Sequence, residues 1–201
     1  MFLLRNTHFA ATTMSQATPE LKFLFHSADD AAVASIIQLS NSIFCPESGT
    51  RYASLEEWKR RLSDPASSII YLVPQPNNPS VSSGDDQSPT PPVAFLFAHP
   101  RLHPEPLRDG SSQSLHIWLA GVLEECRGRS YLDTMVNALG DLERRRLGSE
   151  SSPMPTLTVC TAPSRFPSMW SWLRARTRWV VEKDLEGGKV LLSFTGRNHI
   201  Q

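Results

Sequence analysis

The stretch from Leu115 to Leu147, LHIWLAGVLEECRGRSYLDTMVNALGDLERRRL, constrains this 201-residue chain more than any other. Its opening, Leu115 to Leu123, is almost wholly apolar and includes Ile117, Trp118 and Val122, which predicts a strand covered on both faces. After a polar turn from Glu124 to Arg129 the apolar period lengthens. Leu132, Met135, Val136, Leu139 and Leu142 recur at three- and four-residue steps, as one face of an amphipathic helix requires. A buried strand, an Arg-Gly-Arg turn and a helix together suit an anion such as a phosphate. The first helical turn leaves backbone N–H groups unpaired and carries the positive end of the macrodipole.

The line from Val122 to Leu132, VLEECRGRSYL, resembles the acetyl-CoA signature of the GNAT acetyltransferases. That signature is a strand ending in valine, then Pro-x-Tyr-Arg-Gly-x-Gly-x-Gly or Ala, then a helix. Val122, Arg127, Gly128 and the basic Arg129 fall on it; Glu124, Cys126, Ser130 and Leu132 stand where it has proline, an aromatic residue and two small residues. The resemblance implies an α/β fold, a mixed and mostly antiparallel twisted sheet with helices on both faces. It implies an acyl-CoA-dependent N-acyltransferase that passes an acetyl group from acetyl-CoA, as co-substrate, to a small-molecule or peptide amine by direct attack.

The same resemblance implies roles for particular residues. Backbone N–H groups from Arg127 to Ser130, with the Ser130 hydroxyl, would hold a pyrophosphate that Arg127 or Arg129 neutralises. Leu119, Gly121 and Val122 would offer backbone groups to the coenzyme's pantetheine arm where the fourth strand splays from the fifth, at Gly121. His116 would take the proton from the acceptor amine, because an imidazole titrates near neutrality. On alternation it shares a face with Trp118, Ala120 and Val122. The family's thiolate-protonating tyrosine would fall near Arg174, but no tyrosine follows Tyr131, which leaves Ser171 or a water. The departures from the signature keep a rival open, a non-catalytic coenzyme-binding or interaction protein on the same scaffold.

The order of elements supports the resemblance. Leu21 to His26 predicts a strand; Val33, Ile36, Ile37, Ser40, Ile43 and Phe44 mark a helix capped by Ser27 or Asp29. Ser54 to Leu62 predicts a second helix with a capping box at Glu57. Strands follow at Ser68 to Val73 and Val93 to Ala98, separated by a segment, 74–92, with six prolines and four serines among nineteen residues. Too little of it is apolar to offset its ordering entropy, so it is expected to be a disordered insertion. A proline-containing loop, Pro100 to Gln113, leads to the central strand. Beyond the central helix come a strand at Thr156 to Thr161, a helix at Phe166 to Arg176 with Ser164 as cap, and two strands around the Gly187-Gly188 turn. The expected organisation is one domain over 20–196, with tails at 1–19 and 197–201.

Composition narrows the classes. Twenty basic and twenty acidic residues give a net charge of zero, unlike the basic excess of most nucleic-acid binders. No apolar run approaches the length of a membrane span. Cys45, Cys126 and Cys160 have neither paired nor metal-ligand spacing, which fits a reducing compartment such as the cytoplasm. The first nineteen residues hold Arg5 and His8 but no acid, a faint likeness to a mitochondrial transit peptide. Cys160 reads as a small buried hydrophobe and most of the five tryptophans as core.

Overall fold

The computed structural model describes residues 18–44, 53–75, 90–148, 155–176 and 178–194. Most of the tails and of the insertion expected at 74–92 lies outside the described residues. Seven strands form one sheet in the spatial order β1 (Glu20–Leu24), β2 (Ser68–Val73), β3 (Ala94–Leu102), β4 (Gln113–Val122), β5 (Leu157–Thr161), β7 (Lys189–Phe194), β6 (Trp179–Leu185). Every neighbouring pair is antiparallel except β4 with β5, which is parallel. The helices are α1 (Asp30–Phe44), α2 (Leu55–Leu62), α3 (Tyr131–Arg146) and α4 (Pro167–Arg174). The expected α/β architecture is the one observed.

The two faces of the sheet carry separate cores. Ile70 and Leu72 of β2 and Leu115 and Ile117 of β4 pack with Met135, Val136 and Leu139 of α3 and Leu173 of α4. On the other face Ile69, Phe95 and Phe97 pack with Val33 and Ile36 of α1 and Trp58 and Leu62 of α2. This two-sided burial is why β2 and the start of β3 read as continuous apolar runs instead of alternating ones. Local chemistry sets the helix ends. Asp29 Oδ1 accepts from Ala32 N at 2.7 Å to cap α1, and Ser54 Oγ accepts from Glu57 N at 3.2 Å to cap α2. The Glu57 carboxylate does not complete a box; it pairs with Arg60 and Arg61. Ser164 is not the cap of α4: Phe166 occupies that position and Pro167, whose missing N–H is harmless in the first turn, starts the helix.

Two features of register were not expected. The loop predicted from Pro100 is strand, since β3 pairs with β4 as far as Leu102 opposite Gln113. Pro100 is tolerated there because β2 pairs no further than Ser68 opposite Ala98, leaving that edge of β3 without a strand partner among the described residues to miss its N–H. A bulge also interrupts the β3–β4 pairing, with Leu119 opposite Phe97 but Ile117 opposite Ala98, so Trp118 is the extra residue. An added residue shifts the two-residue alternation beyond it. Trp118 and Leu119 therefore both join the core under α1 and α2, while Ala120 and Val122 turn to the α3 face. His116, opposite His99, does not share a face with Ala120 and Val122 as simple alternation predicted.

Candidate active site

A cavity of about 700 Å³ opens where β4 and β5 part. Their parallel pairing runs only from Leu115 opposite Leu157 to Ile117 opposite Val159, although β4 continues to Val122. The parting begins at the Trp118 bulge and not at Gly121, three residues later. Gly121 is small for another reason: a Cβ there would lie 2.9 Å from Ile43 Cδ1 and 3.3 Å from Phe95 Cε1. Ala120, Gly121 and Val122 line the cavity from β4, and Ile43 and Phe44 line it from the end of α1. The turn from Cys126 to Ser130, the first turn of α3 and the start of α4 complete it. Since α1 and α3 cover opposite faces, the cavity passes through the sheet.

The turn before α3 is shaped for an anion. Gly128 has φ +78° and Ser130 has φ +58°, both in the left-handed region. These conformations aim successive backbone N–H groups toward one side. Thr134 N donating to Ser130 O, at 3.0 Å, is the first bond of the helix, and the Ser130 side chain caps nothing. The N–H groups of Tyr131, Leu132 and Asp133 thus lie ahead of the helical ladder. Serine in this conformation costs about 1–2 kcal/mol more than glycine would, partly offset by glycine's roughly 0.5–1 kcal/mol loss of chain freedom. Ser130→Gly is therefore expected to raise the melting temperature by about 1–3 °C. Gly128→Ala, with open space around its Cβ, should lower it by a similar amount. Scanning calorimetry of both variants checks the pair.

Charge in the cavity is lopsided. Arg127, Arg129, Arg165 and Arg176 line it against one carboxylate, Asp133. Arg176 donates from Nε and Nη2 to the two oxygens of Asp133 and lies 4.4 Å over the Trp172 ring. No carboxylate partners Arg127, Arg129 or Arg165 among the described residues. Arg127 Nε reaches Val122 O at 3.4 Å, Arg129 Nη2 reaches Glu125 O at 3.3 Å, and Arg165 lies over Phe166. The N-terminus of α3 and three such cations share one concave wall. Such a wall offers positive charge and unpaired N–H donors to an anion.

Of the residues singled out in the sequence, Gly121, Val122, Arg127, Gly128, Arg129 and Ser130 line this cavity. Leu119 does not; its side chain is buried with Trp58 and Phe97 on the opposite face. His116 does not line it either. It sits where β4 and β5 are still paired, 6% exposed. Arg101 Nη1, which can only donate, lies 3.2 Å from His116 Nε2. The proton is then on Nδ1 and donates to Thr158 Oγ1 at 3.0 Å; Thr158 donates to Ser114 Oγ at 2.7 Å, and Ser114 to His103 Nε2 at 2.7 Å. By the same rule Arg61 fixes His99, donating to its Nε2 at 2.9 Å while Nδ1 donates to Pro100 O. Neither Ser171 nor Arg174 reaches the cavity. Asp133, Arg165, Phe166 and Arg176, which do, carried no sequence signal beyond helix position and charge.

These three imidazoles are held neutral. Burial, then the nearby Arg101 and other cations, push His116 well below the ordinary histidine value. Burial likewise lowers His99 and His103, against which Asp64 and Glu182 pull weakly upward. An added proton would set N–H against the Arg101 or Arg61 donors. In the unfolded chain each takes up a proton near pH 6.5. The unfolded state thus binds more protons below that pH, and stability, complete above about pH 6.5, is lost as pH falls toward the folded values. The melting temperature should drop between pH 7 and pH 5, and less steeply in His103→Gln, whose amide oxygen can still accept from Ser114. Buried Glu143, whose carboxyl is raised from 4.5, acts in the opposite sense but is one group against three.

The seven-stranded sheet, the parted fourth and fifth strands and the helix that starts at the gap define the GNAT acetyltransferase fold. The chain adopts that fold. It superposes on the NatC complex bound to Gag peptide and CoA with a TM-score of 0.55 at 12% identity, covering 89% of this chain and 98% of that one. Arabidopsis thaliana NAA60 in complex with acetyl-CoA gives 0.53 at 17%, covering 88% and 99%. An aminoglycoside acetyltransferase from an uncultured soil metagenomic sample, in complex with sisomicin, gives 0.53 at 11%, covering 79% and 87%. No protein-family model and no curated protein sequence matches the chain.

Proposed function

We propose that the protein is an acyl-CoA-dependent N-acyltransferase that moves an acetyl group from acetyl-CoA to an amine. The observation that carries this reading is the wall formed by the open N-terminus of α3 with Arg127 and Arg129, placed at the gap between β4 and β5. Those groups fit the coenzyme's diphosphate: N–H donors and two guanidinium groups without carboxylate partners among the described residues meet several negative charges. The backbone of Gly121 and Val122, beyond the last β4–β5 pair, is free of a β5 partner and can hold the amide-bearing arm. Leu132 lines the cavity where the signature has a small residue, and it does so beside the diphosphate wall. Structures of the same fold hold CoA or acetyl-CoA, in NatC and NAA60, which supports the reading.

Bound there, the coenzyme would supply an activated acyl thioester. The chain's contribution is to orient it, to exclude water with Ile43, Phe44, Phe166 and Met169, and to bring an amine to it through the gap. A second reading, a binding module without turnover, is favoured by the burial of His116 away from the cavity. Measuring free thiol released from acetyl-CoA with a panel of amines separates the two. Release that depends on amine and is reduced by Arg127→Ala supports the transferase. Coenzyme binding without release from any amine supports the module.

A further inference from the structure

We propose that Arg61 is a positioning residue for the coenzyme, clamping the bulge that parts β4 from β5, and that a proton on His99 releases the clamp. The proposal rests on the coenzyme reading of the cavity given above. Arg61 is the last residue but one of α2 and sits where three groups meet. Its Nε donates to Glu57 at 2.8 Å, its Nη1 donates to His99 Nε2 at 2.9 Å, and its guanidinium carbon lies 4.3 Å over the Trp118 ring. The two hydrogen bonds fix the plane of the guanidinium, and the third contact lays that plane on the bulged residue of β4. Trp118 is held on its other sides by Phe97 at 5.4 Å and Trp58 at 5.5 Å. The β4–β5 pairing stops at Ile117 opposite Val159, one residue before Trp118, and Ala120, Gly121 and Val122 beyond it line the cavity. Arg61, His99 and Trp118 are not lining residues, so a change at any of them reaches the coenzyme through the set of that strand.

The clamp works in one protonation state. Arg61 has donors only, so His99 Nε2 must accept, and the single proton of the neutral ring is on Nδ1, donated to Pro100 O at 2.8 Å. A second proton, on Nε2, would set N–H against N–H beside an existing positive charge. Like charges at that distance repel, and Glu57 offers Arg61 a partner to swing toward. Trp118 then loses the cation on its face.

His99 is placed to sense acid. It is half-buried, one residue beyond the last β2–β3 pair, so water can deliver the proton. Arg61 faces it from α2, Asp64 from the turn behind α2, Arg101 from its own strand and the His116 ring from β4, at 5.8 Å. Burial and the two arginines oppose a proton on His99, while Pro100 O and Asp64 favour one. The clamp therefore holds at neutral pH and opens below the ordinary histidine range. Coenzyme affinity should fall with it while the chain is still folded.

The test uses the full chain, with acetyl-CoA titrated by calorimetry at pH 7.5 and pH 5.5, below the melting temperature measured at each pH. The coenzyme's phosphates take up protons over the same range, so parent and variants are compared with the same ligand. The parent should bind about tenfold more weakly at the lower pH. His99→Gln presents an amide oxygen to Arg61 but gains no charge; it should match the parent at pH 7.5 within about twofold and lose at most about threefold on acidification. Arg61→Lys keeps the charge but not the plane that lies on Trp118; it should bind at least about threefold more weakly at pH 7.5 and show the shallow profile of His99→Gln. Tryptophan emission is recorded on the same samples, with that of Trp118→Phe subtracted. The Trp118 signal should change between the two pH values in the parent and stay constant in His99→Gln. Equal acid losses in the parent and His99→Gln would overturn the proposal and leave the coenzyme reading standing. Arg61→Lys with the parent's affinity and profile, or a Trp118 signal indifferent to pH, would overturn it too. Failure of the parent to bind coenzyme at pH 7.5 would overturn the coenzyme reading and the positioning role with it.

Discussion

Replacing Arg127 and Arg129 together by alanine is expected to weaken acetyl-CoA binding about 100-fold while leaving the melting temperature within a degree or two of the parent. A hydrogen bond from a charged donor contributes about 1.5–3 kcal/mol. Both side chains are exposed, so the lower figure applies to each, and two together give roughly 3 kcal/mol, or about two powers of ten. The fold should not notice. Neither guanidinium forms a salt bridge among the described residues, and each reaches only a backbone carbonyl at the long end of the hydrogen-bond range. Binding by the parent should also weaken as salt is raised, more so than binding by the double variant. Affinity unchanged in the double variant would mean the diphosphate lies elsewhere.

The largest expected loss of stability comes from Trp58→Ala. Trp58 is 1% exposed and is the point where α2 meets the sheet. Its ring lies 5.2 Å from Phe97, 5.9 Å from Phe95 and 5.5 Å from Trp118, the bulged residue of β4. Removing a buried aromatic side chain costs about 3–5 kcal/mol in lost transfer energy and residual cavity. For a chain of this size that is a fall of roughly 6–20 °C in melting temperature. Trp118 would lose one ring neighbour while Phe97 at 5.4 Å and the Arg61 guanidinium 4.3 Å above it remain. The bulge that parts β4 from β5 should loosen with it, so coenzyme affinity is expected to fall as well. A drop of less than 3 °C would show that the aromatic cluster is not what seats α2.

What the sequence made legible was local periodicity. The change from a continuous apolar run to a 3.6-residue period at Val122 to Tyr131 located the turn before α3, and the order of elements followed from similar patterns. The Arg127 to Ser130 turn was readable because cations, a glycine and a helix start were adjacent in the chain. The misplaced residues share one cause. The Trp118 bulge is a property of the register between two strands and leaves no mark in the composition of either. It nevertheless shifts every later side chain of β4, which is why His116 and Val122 separate onto different faces. The strand through Pro100 was hidden because a proline is tolerated only when the next strand has already ended. The Arg176–Asp133 pair joins residues 43 positions apart, and the Phe44–Phe166 contact joins α1 to the approach to α4. Pairings at such separation are made by the fold and cannot be counted along the chain.

Calorimetric titration of the purified chain with acetyl-CoA, alongside acetylpantetheine, which has the arm but no diphosphate, tests the central claim most directly. The cavity at the parting of β4 and β5 predicts saturable one-to-one binding of acetyl-CoA in the micromolar range. It predicts acetylpantetheine at least 100-fold weaker, because the α3 N-terminus and the two arginines would have nothing to hold. Equal affinity for the two compounds, or no heat with acetyl-CoA at millimolar concentration, would contradict it.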